Sequence, residues 1–524
     1  MRRHRAQRCQ GHAGLAHGGP PVMPCLRPAP ALPFDAAAGI HALPAAFQTM
    51  HGPLAYWAGM QGEAMALRCG TQQWSYAQLH ALVQTRAADI ERQAQGHTPL
   101  LPMHLSACEM VIEFLATNCS GRCAAVGDAQ WPEHVLHAVQ ASLASLPAAP
   151  PDTPAQLKPF YVGFTSGSTG QPKGFRRHHL SWAESFRVGL ADLGQDMHHH
   201  ILSPGQMTHS LFLFGALMGI WMGTGATVQT QFSATQTLLD VASTTACAVV
   251  AVPSQLLLLL QHAQRHALPP QPQVKLVLIS GARWLREHSG ALKALFPQAR
   301  IIEFYGASEA SFITWMEAQV DTPAQAVGQP FSNVQLRAAQ HPEHSAEAAQ
   351  AQRIWVRSPM QFMDYVHAAD GSAAQQSGPW LSVRDMGRID ANGQLHLYGR
   401  ENRMLVTKGK NLFPEEVEQH LLSHPDVAHA SVQALPDTLR GTQVHAVLQW
   451  GTPDAATAEP LPGALALVQW CRSALDAYKA PRRWWVWQGP WPLTRSGKTD
   501  HETLLRTLQA AHQGQPSPQL QPWR

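Results

Sequence analysis

Thr165-Ser-Gly-Ser-Thr-Gly-Gln-Pro-Lys-Gly174 follows directly on an apolar run at 160–164. Its glycines let successive backbone N–H groups turn toward one anion, its serine and threonine hydroxyls add donors, and Lys173 supplies a full positive charge. Such a loop suits a polyphosphate. It is not a Walker loop, because Pro172 stands where a glycine would precede Lys-Ser/Thr.

Outward from this loop, helical periodicity alternates with short apolar runs at 160–164, 247–252, 274–279 and 301–304. Each run has strand length and no polar alternation, as expected of strands covered on both faces by helices. The pattern predicts an α/β architecture. After about Tyr398 it changes to a compact set: 402–406, a helix at 414–423, runs at 428–434 and 443–449, a helix at 465–476, and a run at 483–487. That stretch is long enough for a small α+β domain of its own.

A chain of 524 residues should hold at least two units with buried cores. Lys plus Arg number 38 and Asp plus Glu 35, and charged residues make up 14%, against about 25% in ordinary domains. This balance provides no long-range field for nucleic acid or anionic lipid. The 29 histidines are scattered, and the triplet His198–His200, after Gly194-Gln-Asp196, reads as exposed. Eight dispersed cysteines fit a reducing, cytoplasmic location; Cys119 and Cys123 lack a second pair at zinc spacing and read as structural thiols. The longest apolar stretch, 211–223, falls short of the roughly 20 residues that span a bilayer. Residues 1–45 carry Arg2, Arg3, Arg5, Arg8 and Arg27 with no acid before Asp35, and read as a disordered or targeting arm, Met23 being an alternative start.

Further strings lie in a fixed order: Trp74-Ser-Tyr-Ala-Gln-Leu79, Tyr305-Gly-Ala-Ser-Glu309, Asp385-Met-Gly-Arg-Ile-Asp390, Asn392-Gly-Gln-Leu-His-Leu-Tyr-Gly-Arg400, Gly409-Lys-Asn-Leu-Phe-Pro-Glu-Glu-Val-Glu418 and Pro492-Leu-Thr-Arg-Ser-Gly-Lys498. With the phosphate loop they resemble the adenylate-forming superfamily of acyl-CoA synthetases, adenylation domains and luciferases, over about residues 50–510. The resemblance implies a large N-terminal ATP- and acyl-binding α/β domain at 46–400, a hinge at 401–402 centred on Asn402, a smaller mobile α+β domain at 403–510, and a tail at 511–524. It implies an AMP-forming acid–thiol ligase that uses ATP, Mg²⁺ and CoA, or a carrier-protein phosphopantetheine in place of CoA.

The resemblance also assigns roles. Thr165, Ser166, Gly167, Ser168, Thr169, Gly170 and Lys173 would cradle phosphates, and Glu309 would hold Mg²⁺ as a hard oxygen ligand. Ser308 replaces the usual threonine and keeps its hydroxyl. Tyr305 would stack on adenine, Asp385 and Arg400 would bind the ribose hydroxyls, and Gly281 would border the nucleotide. Lys498 resembles the adenylation lysine, Gly409 the pantetheine-tunnel glycine and His209 a pocket gate. Val383-Arg384 and Gln352-Arg353 depart from the usual Thr-Gly and Gly-Glu, and Arg384 is read as facing either solvent or a phosphate.

No Asp, Glu, Lys or Arg lies between Met197 and Asp240, the segment resembling an acyl-pocket wall. A charged acid would need a partner there, since unpaired buried charge is costly; an uncharged fatty or aryl acid is expected. Arg176 and Arg177 are candidates for CoA phosphates, and Ser181-Trp-Ala-Glu184 reads as a capping box. Two rival functions stay open: an enzyme that loads an acyl carrier protein, and a degenerate, non-catalytic nucleotide binder.

Overall fold

The computed structural model describes residues 30–93, 96–166, 172–317, 319–339, 351–366, 373–407, 410–437, 441–451, 461–494, 498–515 and 517–523. The apolar runs at 247–252, 274–279 and 301–304 become adjacent parallel strands, Cys247–Ala251, Val274–Ile279 and Arg300–Ala307, in one sheet with His200–Ser203 and Ala226–Val228, whereas the run at 160–164 lies in another sheet. Ala248, Val250, Leu276 and Leu278 join a core beneath the helices His179–Leu193 and Ser210–Trp221, while Cys247, Val249, Val277 and Ile279 join a second beneath Pro253–Arg265. Both faces are therefore covered, which is why these runs show no polar alternation. Met65–Cys69, ahead of the predicted α/β region, extends the same sheet.

Beyond Arg300–Ala307 the sheet turns antiparallel through Ser311–Glu317, Ala326–Pro330, Leu395–Arg400 and Asp385–Ile389. A second sheet holds Ala124–Ala125, Pro159–Ser166, Pro172–His178 and Asp364–Tyr365. The two meet at the carboxyl ends of the parallel strands, where open α/β sheets bind ligands.

The C-terminal unit has a hairpin, Leu405–Thr407 with Lys410–Leu412, and a sheet of Val427–Asp437, Gly441–Trp450, Arg483–Trp487 and Leu520–Trp523. Its helix Pro414–Leu422 opens with proline and two glutamates, which suit a helix N-terminus, and buries Val417 and Leu421 one turn apart. Leu412, Val432, Leu448 and Leu467 share that core. No helix among the described residues is long and apolar enough to cross a membrane.

Four expectations change. The arm does not extend to 45: Phe34 packs edge-on against Phe47 and Trp221 at 5.2 and 5.5 Å, Leu43 is buried, and Arg187 donates to the Ala36 carbonyl. Residues 1–29 lie outside the described residues. The 511–524 tail supplies an edge strand, Leu520–Trp523, on Arg483–Trp487. The helix expected to open at Ser181 starts at His179, with the His178 ring accepting from the Ser181 N–H at 3.1 Å, while Glu184 pairs with Arg187. His198 and His200 are buried, held by the Met222 and Thr224 carbonyls and the Thr227 hydroxyl, so two of the triplet are satisfied core histidines.

Candidate active site

Asp385 and Arg400 face each other across two antiparallel strands, with Arg400 Nε 3.4 Å from Asp385 Oδ1. Fifteen residues of sequence separate them, and the hairpin ladder brings them into a cross-strand pair. Tyr305, at the carboxyl end of its parallel strand, donates its hydroxyl to Asp385 Oδ2. Burial and the Asp385 charge push the Tyr305 phenol well above its ordinary range, so it stays a donor. The Asp385 charge in turn raises Arg400.

A β-bulge at Tyr305/Gly306 re-aims the chain just before the turn that carries Ser308 and Glu309. A Cβ on Gly306 would lie 2.3 Å from the Ser311 carbonyl oxygen, so only glycine fits the bulge. Glu309 Oε1 accepts from the Tyr365 hydroxyl at 2.7 Å, and its carbonyl accepts from the Phe362 N–H at 2.7 Å. Lys173 Nζ lies 5.4 Å from the centre of the Tyr365 ring. Tyr365 thus links Lys173 to the Glu309 carboxylate, a contact that sequence reasoning missed because nothing local distinguishes it from an edge-strand aromatic.

Arg176 and Arg177 do not present themselves to CoA phosphates. Arg176 forms a bidentate pair with Asp364 at 2.9 and 2.6 Å. Arg177 is buried behind the Glu309 turn, donating to the Ser308 and Met360 carbonyls. Burial pushes Arg177 down to about 9 and the Glu309 charge opposes this, leaving a cation at neutral pH.

Lys498, on the C-terminal unit, lies within electrostatic reach of this group. Its loop is pinned by the Thr494 N–H donating to the Lys498 carbonyl at 2.6 Å and the Lys498 N–H donating to Thr494 Oγ1 at 3.2 Å. Although water reaches its surface, the ammonium is crowded by the cleft and lies within electrostatic reach of Arg400, which together lower its pKa, while Asp385 raises it. The cleft is also held by Arg283, which donates to Gln419 Oε1 and, at 3.1 Å, to the Leu397 carbonyl.

The two departures from the family pattern meet at Glu401. Arg353 donates to Glu401 Oε1, and Arg384 Nη1 lies 3.9 Å from Oε2. Arg384 is only partly exposed and turns to protein partners; its Nε donates to the Ala373 carbonyl at 3.1 Å, and its φ is 66°. Arg403, two residues on, pairs instead with Glu415 and Glu418 of the C-terminal unit at 3.1 and 2.7 Å. Asn402 therefore stands between residues fastened to different units.

Of the remaining candidates, Thr165 and Ser166 pair in register with Lys173 and Pro172. Gly281 has φ 86° at the end of its strand. His209 precedes the helix Ser210–Trp221, whose residues 212–221 are all buried, so only its first turn is open to a ligand. Tyr161 and the Ser210 hydroxyl, 3.1 Å apart, tie that turn to the phosphate strand. Gly167, Ser168, Thr169, Gly170 and Gly409 lie outside the described residues.

No group of three or more metal-ligating side chains gathers among the described residues. A single carboxylate, oriented by a hydroxyl beside a phosphate-strand lysine, fits Mg²⁺, which keeps waters and takes substrate phosphates rather than an all-protein cage.

The family described as AMP-binding enzyme matches residues 107–366, and the AMP-binding enzyme C-terminal domain matches residues 416–498. The chain is 34% identical over 387 residues to an uncharacterized acyl-CoA ligase, YhfT, of Bacillus subtilis (strain 168), covering 74% of this chain and 76% of the relative. It is 31% identical over 277 residues to the putative long chain fatty acid-CoA ligase VraA of Staphylococcus epidermidis, covering 53% of this chain and 57% of the relative. Its fold is similar to that of the O-succinylbenzoate coenzyme A synthetase of Bacillus subtilis in complex with AMP, with a TM-score of 0.71 and 21% identity over 86% of this chain and 97% of that one. Two lobes, a tyrosine–aspartate–arginine cluster and a lysine-bearing loop on the smaller lobe accompany these matches, and the chain belongs to the adenylate-forming, AMP-binding enzymes.

Proposed function

We propose that this enzyme activates an uncharged fatty or aryl carboxylic acid with ATP, forming an acyl-adenylate and pyrophosphate, and then transfers the acyl group to CoA as a thioester. The observation that carries this reading is the Tyr305–Asp385–Arg400 cluster, which lies within electrostatic reach of Lys498 of the smaller lobe. A carboxylate attacking the α-phosphate brings two anions together, so charge neutralisation is the main catalytic need.

In this reading the Tyr305 ring flanks adenine, and Asp385, held by the Tyr305 hydroxyl and Arg400, accepts from the ribose hydroxyls. Lys173 attracts the departing pyrophosphate. Glu309 would hold Mg²⁺, which would supply Lewis-acid neutralisation of the phosphates. Ser308 offers its hydroxyl to the α-phosphate, and Lys498 bridges the incoming carboxylate and the α-phosphate oxygens as charge builds. Rotation about 401–402 then withdraws Lys498 and admits the thiol past the loop bearing Gly409, because hinge residues can absorb such a turn through φ/ψ changes. His209, at the open turn of its helix, gates the acid. A cytoplasmic location and CoA as the acceptor complete the proposal, with a carrier-protein pantetheine as the competing acceptor.

Acid-dependent pyrophosphate release from ATP tests this, run with and without CoA. Release with thioester on CoA supports the ligase; release with transfer only to a carrier protein favours the loading enzyme; no release with any acid favours a non-catalytic nucleotide binder.

A further inference from the structure

Side chains alternate along a strand, so Lys173, Phe175 and Arg177 share one face of Pro172–His178. Lys173 belongs to the site already described, whereas Arg177 has no assigned part in it. It is only 1 % exposed. Its Nε donates to Ser181 Oγ at 3.2 Å, and Nη2 donates to Ser311 Oγ at 2.6 Å. Further bonds run from Nη1 to the Ser308 carbonyl and from Nη2 to the Met360 carbonyl. A guanidinium has five N–H donors. Four of these are committed to protein acceptors, which leaves no fork to offer a phosphate or a second substrate carboxylate.

Two of the partners, Ser308 and Ser311, bracket Glu309. Ser311 holds φ at 58°, a conformation that a serine keeps only where its surroundings impose it. The carboxylate acting by charge on this buried cation is Glu309 itself. Arg177 therefore grips both shoulders of the turn and faces its charge.

We propose that Arg177 is a positioning residue for the metal-binding carboxylate: by fixing the 308–311 turn it sets where Glu309 aims before Mg²⁺ and nucleotide arrive. This rests on Glu309 being the Mg²⁺ ligand. Partners that orient a ligand from behind typically change metal affinity 10- to 100-fold when lost. Lysine at this position keeps the charge but cannot reproduce the planar fork.

The test is a Mg²⁺ titration of the binding of a fluorescent ATP analogue to wild type, Arg177→Met, Arg177→Lys, Ser311→Ala and Glu309→Gln, with thermal melting of each. Arg177→Met is expected to raise the Mg²⁺ half-saturation roughly 10- to 100-fold while leaving Mg²⁺-free analogue binding little changed. Arg177→Lys should recover part of the loss, and Ser311→Ala should shift half-saturation the same way by less. If Arg177→Met does not fold, the lysine and alanine variants carry the test. A fall in melting temperature with unaltered Mg²⁺ half-saturation overturns the proposal and leaves Arg177 a purely structural cation. If Glu309→Gln shifts half-saturation and the Arg177 and Ser311 variants do not, only this proposal fails; if Glu309→Gln itself changes nothing, the metal assignment fails first.

Discussion

Arg283 of the large lobe donates a hydrogen bond to the Gln419 side chain of the small lobe, across the cleft that Lys498 enters. Gln419 also donates to the Ala324 carbonyl at 3.1 Å, so this one side chain ties the small lobe to two loops of the large one. A hydrogen bond to a charged group contributes about 1.5 kcal/mol or more, close to a tenfold bias toward the posture that contains it. Gln419→Ala should therefore slow single-turnover adenylate formation by about tenfold or more. Thioester formation from preformed acyl-adenylate should not slow. Equal losses in both steps would show that the contact does not distinguish the two postures.

Lys498→Ala should lower the adenylation rate by about 10²- to 10³-fold, the usual cost of one positioned electrostatic contact. Because crowding and Arg400 lower the Lys498 pKa, the cation is lost at lower pH than for a free lysine. Adenylation should fall as pH rises through that lowered value. Lys498→Arg, which stays charged, should lack this alkaline limb even if its maximum rate is reduced. Rate–pH profiles measured with saturating acid and ATP check both outcomes.

Arg384 holds φ at 66°, a backbone region that glycine enters without steric cost. A left-handed backbone costs a non-glycine residue roughly 1–2 kcal/mol. Arg384→Gly and Arg384→Ala both lose the bond to the Ala373 carbonyl and the approach to Glu401, but only glycine relieves the backbone. The glycine variant should be the more stable of the two by about 1 kcal/mol, read from their melting transitions. Equal stability would mean that the turn relaxes.

Burial lowers His51, His178, His200 and His501 to about 4. Unfolding restores an ordinary value near 6.5, so the unfolded chain binds more protons between these limits. Stability from the neutral rings is complete above about pH 6.5 and is lost as pH falls toward 4, at up to about 1.4 kcal/mol per pH unit per ring. His200 is bonded to the Thr224 carbonyl at 3.0 Å and to the Thr227 hydroxyl at 2.8 Å. Melting temperature measured from pH 7 to pH 4 should fall steadily, and His200→Gln should flatten the slope. An unchanged slope would assign acid sensitivity to other groups.

The α/β arrangement was legible because the strands at 247–251 and 274–279 are buried on both faces and so read as unbroken apolar runs. Tyr305, Asp385, Arg400 and Lys498 could be named from their strings because each sits in a short, order-specific motif. The docked segment from residue 30 was not legible: short 3-10 turns rich in alanine and proline give no periodicity, and Phe34 and Leu43 are isolated in sequence. Arg177 was misread for a related reason. A run of two arginines and two histidines suggests cations free to meet CoA phosphates, yet strand alternation sends Arg176 to Asp364 and Arg177 inward. The substitutions at 352–353 and 383–384 read in sequence only as departures from a pattern, whereas in space Arg353 and Arg384 both converge on Glu401, a relationship that no linear spacing reveals.

The central claim is that a lysine from the small lobe helps a carboxylate displace pyrophosphate from ATP. The most direct measurement is acid-dependent exchange of labelled pyrophosphate into ATP, surveyed over straight-chain and aromatic monocarboxylic acids with wild type and Lys498→Ala in parallel. The account predicts exchange with at least one uncharged acid in the wild type and its collapse, by about 10²-fold or more, in a folded Lys498→Ala protein that still binds nucleotide. Folded wild-type protein that binds ATP yet exchanges pyrophosphate with none of these acids, or a Lys498→Ala variant that exchanges at the wild-type rate, would contradict it.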